Sequence, residues 1–179
     1  MAIIIEELIT YCQHASSKPN CISTVETYLR DKLPSIATAM ATTKNGGIEA
    51  LYVSDTLTVL NVVWQPHMIM SAHNHNTWAV IGVYVGQEDN TFWRRLQGDT
   101  TGRLGQVSSQ SICAGEVIAM PEETIHSVKN PINEFTGAIY IYGGNFFSIQ
   151  RSKWDSQGLR EQAYSVDENI QSVESGDCI

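Results

Sequence analysis

Apolar residues fall at helical spacing near the start of the chain and at strand spacing through its middle. Ile3, Ile4, Ile5, Leu8, Ile9 and Cys12 make a broad apolar stripe with a period near 3.6, as a helix lying on a core requires. Ser17-Lys18-Pro19-Asn20 breaks that stripe. Ser23-Thr24-Val25-Glu26 has the form of a capping box, followed by Val25, Tyr28 and Leu29 on one side of the helix it opens. Pro34 is expected to end this helix or to open a short third one reaching Met40. Asn45-Gly46-Gly47 then marks a change of period.

From Ile48 to Phe147 the pattern predicts short strands separated by turns. They run over 48–53, 57–64, 68–75, 78–85, 91–96, 106–112, 116–120, 125–129 and 135–142. Gln87-Glu88-Asp89-Asn90 and the stretch from Gly98 to Gly102 read as hairpin connections. So many short strands imply a mainly β fold, a closed barrel or jelly roll. Beyond Trp154 the chain is polar and acidic, and residues 165–179 are expected to be loosely held. The expected organisation is N-terminal helices over 1–43 packed on a barrel over 44–154, with a polar C-terminal tail over 155–179.

Composition narrows the functional classes. At 179 residues, 42% hydrophobic and 17% charged, the chain suits one domain with a proper core. A net charge of −8 argues against nucleic acid or an anionic membrane as partner. The apolar run Ala2 to Ile5 is too short to span a bilayer. No export leader is visible, so a cytoplasmic location is expected. Cys12, Cys21, Cys113 and Cys178 lack CxxC spacing and are expected as free thiols, Cys113 as a buried, inert one.

The candidate chemistry lies in His73-Asn74-His75 and in His126, about fifty residues later. On a strand, side chains two apart share a face, so His73 and His75 can reach one metal ion. A third histidine on a facing strand completes the triangle. The pattern predicts a metal site inside a β-barrel.

Two blocks around these histidines resemble the paired motifs of the cupin superfamily. In the first, His67, His73, His75, Ala79 and Gly86 keep the spacing of that superfamily's Gly, His-x-His, Glu and Gly. The leading glycine has become His67, and the carboxylate ligand has become Ala79. In the second, Gly115, Pro121, His126 and Asn130 match, with Glu123 at the site of a glycine. The resemblance implies a cupin double-stranded β-helix, a jelly-roll barrel, with His73, His75 and His126 as metal ligands.

With Ala79 in place of the carboxylate, three neutral imidazoles leave an ion's charge uncompensated and one face open. That arrangement resembles the thiol dioxygenases of the cysteine dioxygenase type. Val63-Trp64-x-Pro66, the residues His73-x-His75-x-x-Trp78-x-x-Ile81-Gly82 and Tyr142-Gly143-Gly144 are similar to the 3-mercaptopropionate dioxygenase branch. The resemblance implies iron(II), with nickel, zinc or manganese as other metals, and a small anionic substrate together with dioxygen. Tyr142 and Tyr140 are then the candidate catalytic side chains.

Three positions depart from that family. Its Ser-His-Tyr relay corresponds here to Ala138, Tyr140 and Tyr142, so only the last tyrosine is kept. The expected early-strand Arg or Gln carboxylate clamp is missing, for no arginine lies between Arg30 and Arg94. Val80 stands where the mammalian-type enzymes have a crosslinked cysteine. Other readings therefore stay open: a diketone-type dioxygenase, a metalloisomerase or hydrolase, or a metal-holding binding protein without turnover.

Around the site, His67 reads as a turn residue, and His14 and the pair Arg94 and Arg95 as surface. Trp64 and Trp78 read as packing near the metal, Glu88 as solvated, and Glu123 as a solvated residue able to support a ligand imidazole. Segment 1–43 either covers a barrel face or mediates a homodimer.

Overall fold

A computed structural model describes residues 3–40, 45–155 and 160–175. Two helices come first, α1 (Ile3–Ser16) and α2 (Cys21–Ala39). Nine strands follow: β1 (Gly47–Val53), β2 (Thr58–Trp64), β3 (Ile69–Asn74), β4 (Ala79–Val85), β5 (Gln87–Arg95), β6 (Leu104–Cys113), β7 (Val117–Met120), β8 (Ile125–Lys129) and β9 (Thr136–Tyr142). Strands β10 (Ser152–Trp154) and β11 (Glu161–Ala163) and helix α3 (Val166–Ser175) complete the described chain.

The strands form two antiparallel sheets, ordered β1-β2-β9-β4-β7 and β11-β10-β3-β8-β5-β6. The chain alternates between them, which is the jelly-roll arrangement. Among the described residues no strand pairs across the two sheets, so the closed-barrel expectation gives way to a sandwich in which the core, and not a ring of hydrogen bonds, joins the layers.

Alternation decides what each layer holds. On β2 and β9, Leu60, Val62, Trp64, Ala138, Tyr140 and Tyr142 point into the space between the sheets. Val59, Ile139 and Ile141 point the other way, against the buried faces of α1 and α2. Both faces are covered, so every residue of β2 and β9 is buried. The helices pack Leu8, Cys12, Leu29, Leu33 and Ile36 onto this outer face. The N-terminal segment thus covers a sheet.

Several local expectations need correction. Helix α2 starts at Cys21 with Asn20 as its cap residue, and Asn20 makes no side-chain capping bond. Ser23 lies inside the helix and its hydroxyl donates back to the Asn20 carbonyl at 3.1 Å, so the capping-box reading fails. Pro34 neither ends the helix nor opens another; α2 runs through it to Ala39. Pro34 is exposed, so the carbonyl it leaves without an amide partner lies on the solvent side.

Gln87 to Asn90 is not a connection. The chain turns at Gly86 (φ 82°) and β5 begins at once at Gln87. Within 165–179, expected to be loosely held, α3 forms, and its Val173 is fully buried in the inter-sheet core. Cys113 is exposed, not buried. Cys12 is the inert thiol, its burial pushing it up to about 12. Cys178 lies outside the described residues. Among the described residues, no helix is long and apolar enough to cross a membrane.

Candidate metal centre

His73 on β3 and His126 on β8 are direct cross-strand partners. The ladder slips between Met70 and His73, and this bulge lets two residues three apart both face inward. His75 follows two positions after His73 and returns to the same side. The three rings sit 4.6, 4.9 and 5.2 Å apart between centroids. One nitrogen from each lies within 4.8 Å of the others.

Hydrogen bonds set the tautomers. The Ser71 carbonyl can only accept, so the His73 Nδ1–H donates to it at 3.0 Å and Nε2 keeps its lone pair. Asn90 Oδ1 does the same for His126 Nδ1 at 2.8 Å. His126 Nε2 then faces His75 Nε2 at 3.2 Å, while the buried His75 Nδ1 has no partner. Desolvation holds all three imidazoles below the ordinary histidine range, His73 at about 4, so they are neutral near pH 7. Three converging neutral imidazole nitrogens are what a bound cation requires. The donor set therefore fits a metal ion.

Ala79 is fully buried and pairs with Tyr142 across β4 and β9, on the inner face where the missing carboxylate would stand. The Tyr142 ring lies 5.1 Å from that of His75 and 6.2 Å from Tyr140. Burial raises both phenols above their ordinary range. Tyr142 is thus beside the histidines. Tyr140 sits deeper, where it donates to Glu88 Oε1 at 2.9 Å. The Trp64 indole N–H reaches the same oxygen at 2.7 Å and the Tyr140 hydroxyl at 3.2 Å.

Glu88 is thus 0% exposed, the opposite of the solvated hairpin residue the sequence predicts. Desolvation raises it to about 7, against the pull of the Tyr140 and Trp64 hydrogen bonds. Alternation along β5 sends Glu88 and Asn90 inward, a pattern present in the sequence but masked by their polarity.

Arg151, just before β10, is the second side chain the sequence did not disclose. It is 6% exposed and its guanidinium faces the Tyr164 side chain, and no carboxylate pairs with it among the described residues. The guanidinium lies 3.9 Å from the centroid of Phe146 and 4.3 Å from that of Tyr164. It is close enough to act electrostatically on His73, His75 and Tyr142. Nothing in the sequence separates it from a surface arginine, because its surroundings come from distant segments.

The space between the sheets holds a cavity of about 30 Å³, walled by His73, His126, Tyr140, Tyr142, Phe146 and Tyr164 among others. Outside it an open cleft of about 830 Å³ runs along Asn76, Gln150, Arg151, Glu161, Gln162 and Tyr164. Tyr164 borders both spaces, with its ring 5.8 Å from that of His73.

The remaining expectations divide. His67 is exposed at φ 61°, a turn residue at the position of the block's glycine. Asn130 donates to the Trp64, Gln65 and Glu134 carbonyls and so fastens a loop. Glu123 is exposed, and the support for the His126 ring comes from Asn90 instead. Arg95 pairs with Glu161 at the surface, and Arg94 is exposed. Trp64 is near the site as expected, whereas Trp78 packs with the helix-side cluster.

No family model matches this sequence. Among solved structures the chain is similar to BH2720 from Bacillus halodurans, at 16% identity and TM-score 0.50, over 72% of this chain and 84% of that one. It is also similar to an RmlC-like cupin family protein from Methanocaldococcus jannaschii, at 11% identity and TM-score 0.48, over 59% and 86%. Oxalate decarboxylase from Bacillus subtilis is matched at 18% identity and TM-score 0.45 over 59% of this chain, which spans only 27% of that longer one. At these identities the likeness concerns the fold. The chain is mainly β, with two antiparallel sheets and helices at the N-terminus, and the structures it is similar to include double-stranded β-helix proteins of the cupin kind.

Proposed function

We propose that this chain is a metal-dependent cupin enzyme, a non-haem iron(II) dioxygenase of the thiol-dioxygenase type acting on a small anionic thiol or related chelating acid. One observation carries the reading: a triad of buried neutral imidazoles borders a cavity that Tyr142 also lines, close to a buried guanidinium that stacks on Phe146 and Tyr164 and has no carboxylate partner among the described residues.

His73, His75 and His126 would hold the ion, with Ser71 and Asn90 fixing the rings of the first and last. Bound iron(II) would supply a coordination face at which substrate and dioxygen meet. Arg151 takes the role of carboxylate clamp that no early-strand arginine fills, since a buried guanidinium gains most from a bidentate anion. Phe146 and Tyr164 keep its plane fixed. Tyr142 orients the reacting groups and can donate its phenolic proton to them. Leu60, Val62, Met70 and Val128 exclude water from the remaining wall. The cavity holds little more than a water molecule, so a substrate enters from the outer cleft by displacing Tyr164.

The apolar wall favours one second reading, a dioxygenase acting on an enolisable diketone. Oxygen uptake by iron-loaded protein with 3-mercaptopropionate, against pentane-2,4-dione, separates the two. Metal analysis of untagged protein is the companion measurement: His73→Ala and His126→Ala are expected to lose the metal. Unchanged metal content in these variants would sink the site assignment, and no oxygen uptake with either compound would sink the dioxygenase.

A further inference from the structure

We propose that Glu88, acting through Tyr140, receives the proton that a ligand's coordinating group gives up when it binds in the cavity. This rests on the metal-site reading above and adds to it a destination for that proton.

The direction of the hydrogen bonds carries the argument. An indole N–H can only donate, and that of Trp64 faces both Glu88 Oε1 at 2.7 Å and the Tyr140 oxygen at 3.2 Å. The Tyr140 hydroxyl proton therefore points to Glu88 Oε1, 2.9 Å away. The Tyr140 oxygen is left as an acceptor, and Tyr140 lines the cavity while Glu88 lies behind it. A proton arriving at Tyr140 from the cavity side pushes the phenol's own proton onto the carboxylate. The ligand's X–H bond breaks with its electron pair kept on X. An O–H bond forms at Tyr140, the old one breaks, and a new one forms on Glu88. The sum is X–H plus carboxylate giving X⁻ plus carboxylic acid, with Tyr140 restored and no change of oxidation state.

The groups around Glu88 suit an acceptor of this kind. Tyr140 and Tyr142 on β9 are the titratable groups acting on it, β2 contributes Trp64, and its partner on β6 is Ile112. Burial brings Glu88 to about 7 and holds Tyr140 well above the ordinary phenol, so Tyr140 passes the proton on. The second carboxylate oxygen, Oε2, is buried without a partner, so the carboxyl is easier to accommodate neutral than charged. Taking up the proton also avoids a second negative charge beside a bound anion.

A purely structural Glu88 would be replaced without consequence by Gln, whose carbonyl can accept both hydrogen bonds. The test uses full-length protein loaded with redox-silent zinc, and 3-mercaptopropionate and pentane-2,4-dione as probes, both of which lose a proton on coordinating. Calorimetric titration in buffers of different ionisation enthalpy counts the protons released. Wild type is expected to release almost none at about pH 8 to 9, where Glu88 starts ionised, and its affinity for the thiol to stay level between about pH 7.5 and 9. Glu88→Gln and Tyr140→Phe are expected to release about one proton per ligand, with affinity rising about tenfold per pH unit over that range. Binding with the same proton count and slope in wild type and Glu88→Gln overturns the proposal and leaves the metal-site reading standing. Failure of both probes to bind the zinc-loaded wild type overturns both.

Discussion

Asn90 decides which nitrogen of His126 faces the cavity. Its carbonyl takes the Nδ1 proton at 2.8 Å, and a ring freed from that bond can rotate or change tautomer. Asn90→Ala is therefore expected to weaken metal binding about 10- to 100-fold while leaving all three histidines in place, as competition with a chelator would show. Arg151 is the complementary case, a side chain that costs stability to bury and is released from that cost by an anion. Arg151→Ala should weaken binding of an anionic probe by about 10- to 100-fold and leave metal content unchanged, since a charged hydrogen bond contributes roughly 1.5–3 kcal/mol.

Glu88 makes its own mark on stability. Its carboxyl stands at about 7 in the folded chain against an ordinary 4.5, so the native state holds the proton longer than the unfolded chain does. Stability from this group is full below about pH 4.5 and is lost as pH rises through about 7. Glu88→Gln removes that loss, and denaturant unfolding at pH 8 should show it more stable than wild type by up to about 3 kcal/mol. The histidines act in the opposite sense. Their depressed protonation means that metal-free protein loses stability as pH falls from about 6.5 toward about 4. At this scale the triad was legible in the sequence, because ligand spacing is a local property. Glu88, Asn90 and Arg151 were not, because their meaning lies in what distant strands put beside them.

Among elements, period and turn chemistry carried the reading far. Eight of the nine central strands start and end within two residues of where alternation sets them; β5 starts four residues early, because polar Glu88 and Asn90 occupy inward positions. Pro34 in α2 misled for a related reason: it lies on the exposed side of the helix, where water can take the place of the amide it lacks. The bulge on β3 was invisible, since nothing in Met70-Ser71-Ala72-His73 marks a slipped register. Gly82 shows how tightly the layers fit. A Cβ there would lie 2.8 Å from Leu29 Cδ2 and 3.0 Å from Leu33 Cδ2 on α2. Gly82→Ala is expected to push α2 away from β4 and cost about 1–3 kcal/mol, measured by thermal or denaturant unfolding.

Taken whole, the molecule divides its site between two parts of the chain. The inner strands supply the histidines, the tyrosines and Glu88, whereas Arg151 and Tyr164 flank β10 and β11 at the edge of the second sheet, a segment that acts as a strap. β10 joins the sandwich through the backbone pairing of Lys153 with His73 and through Trp154, buried against Ala72, Leu104 and Ile125, and Tyr164 N–H donates to the Arg151 carbonyl at 3.0 Å. Val173 of α3 anchors the far end in the core. The polar composition of this segment hid its role, because a strap held by a few buried residues looks like a tail. Val173→Asp should loosen it and weaken anion binding while the metal stays bound, read by metal analysis and ligand titration of the same preparation.

The strap is also the last described part of the chain to be synthesised. A nascent polypeptide exposes all three imidazoles before Arg151 and Tyr164 have left the ribosome. On the proposed function, the triad thus leaves the ribosome first and the groups assigned to holding the ligand follow last. The two can change separately in evolution, for exchanging the strap can alter what the pocket accepts without touching a ligand to the metal.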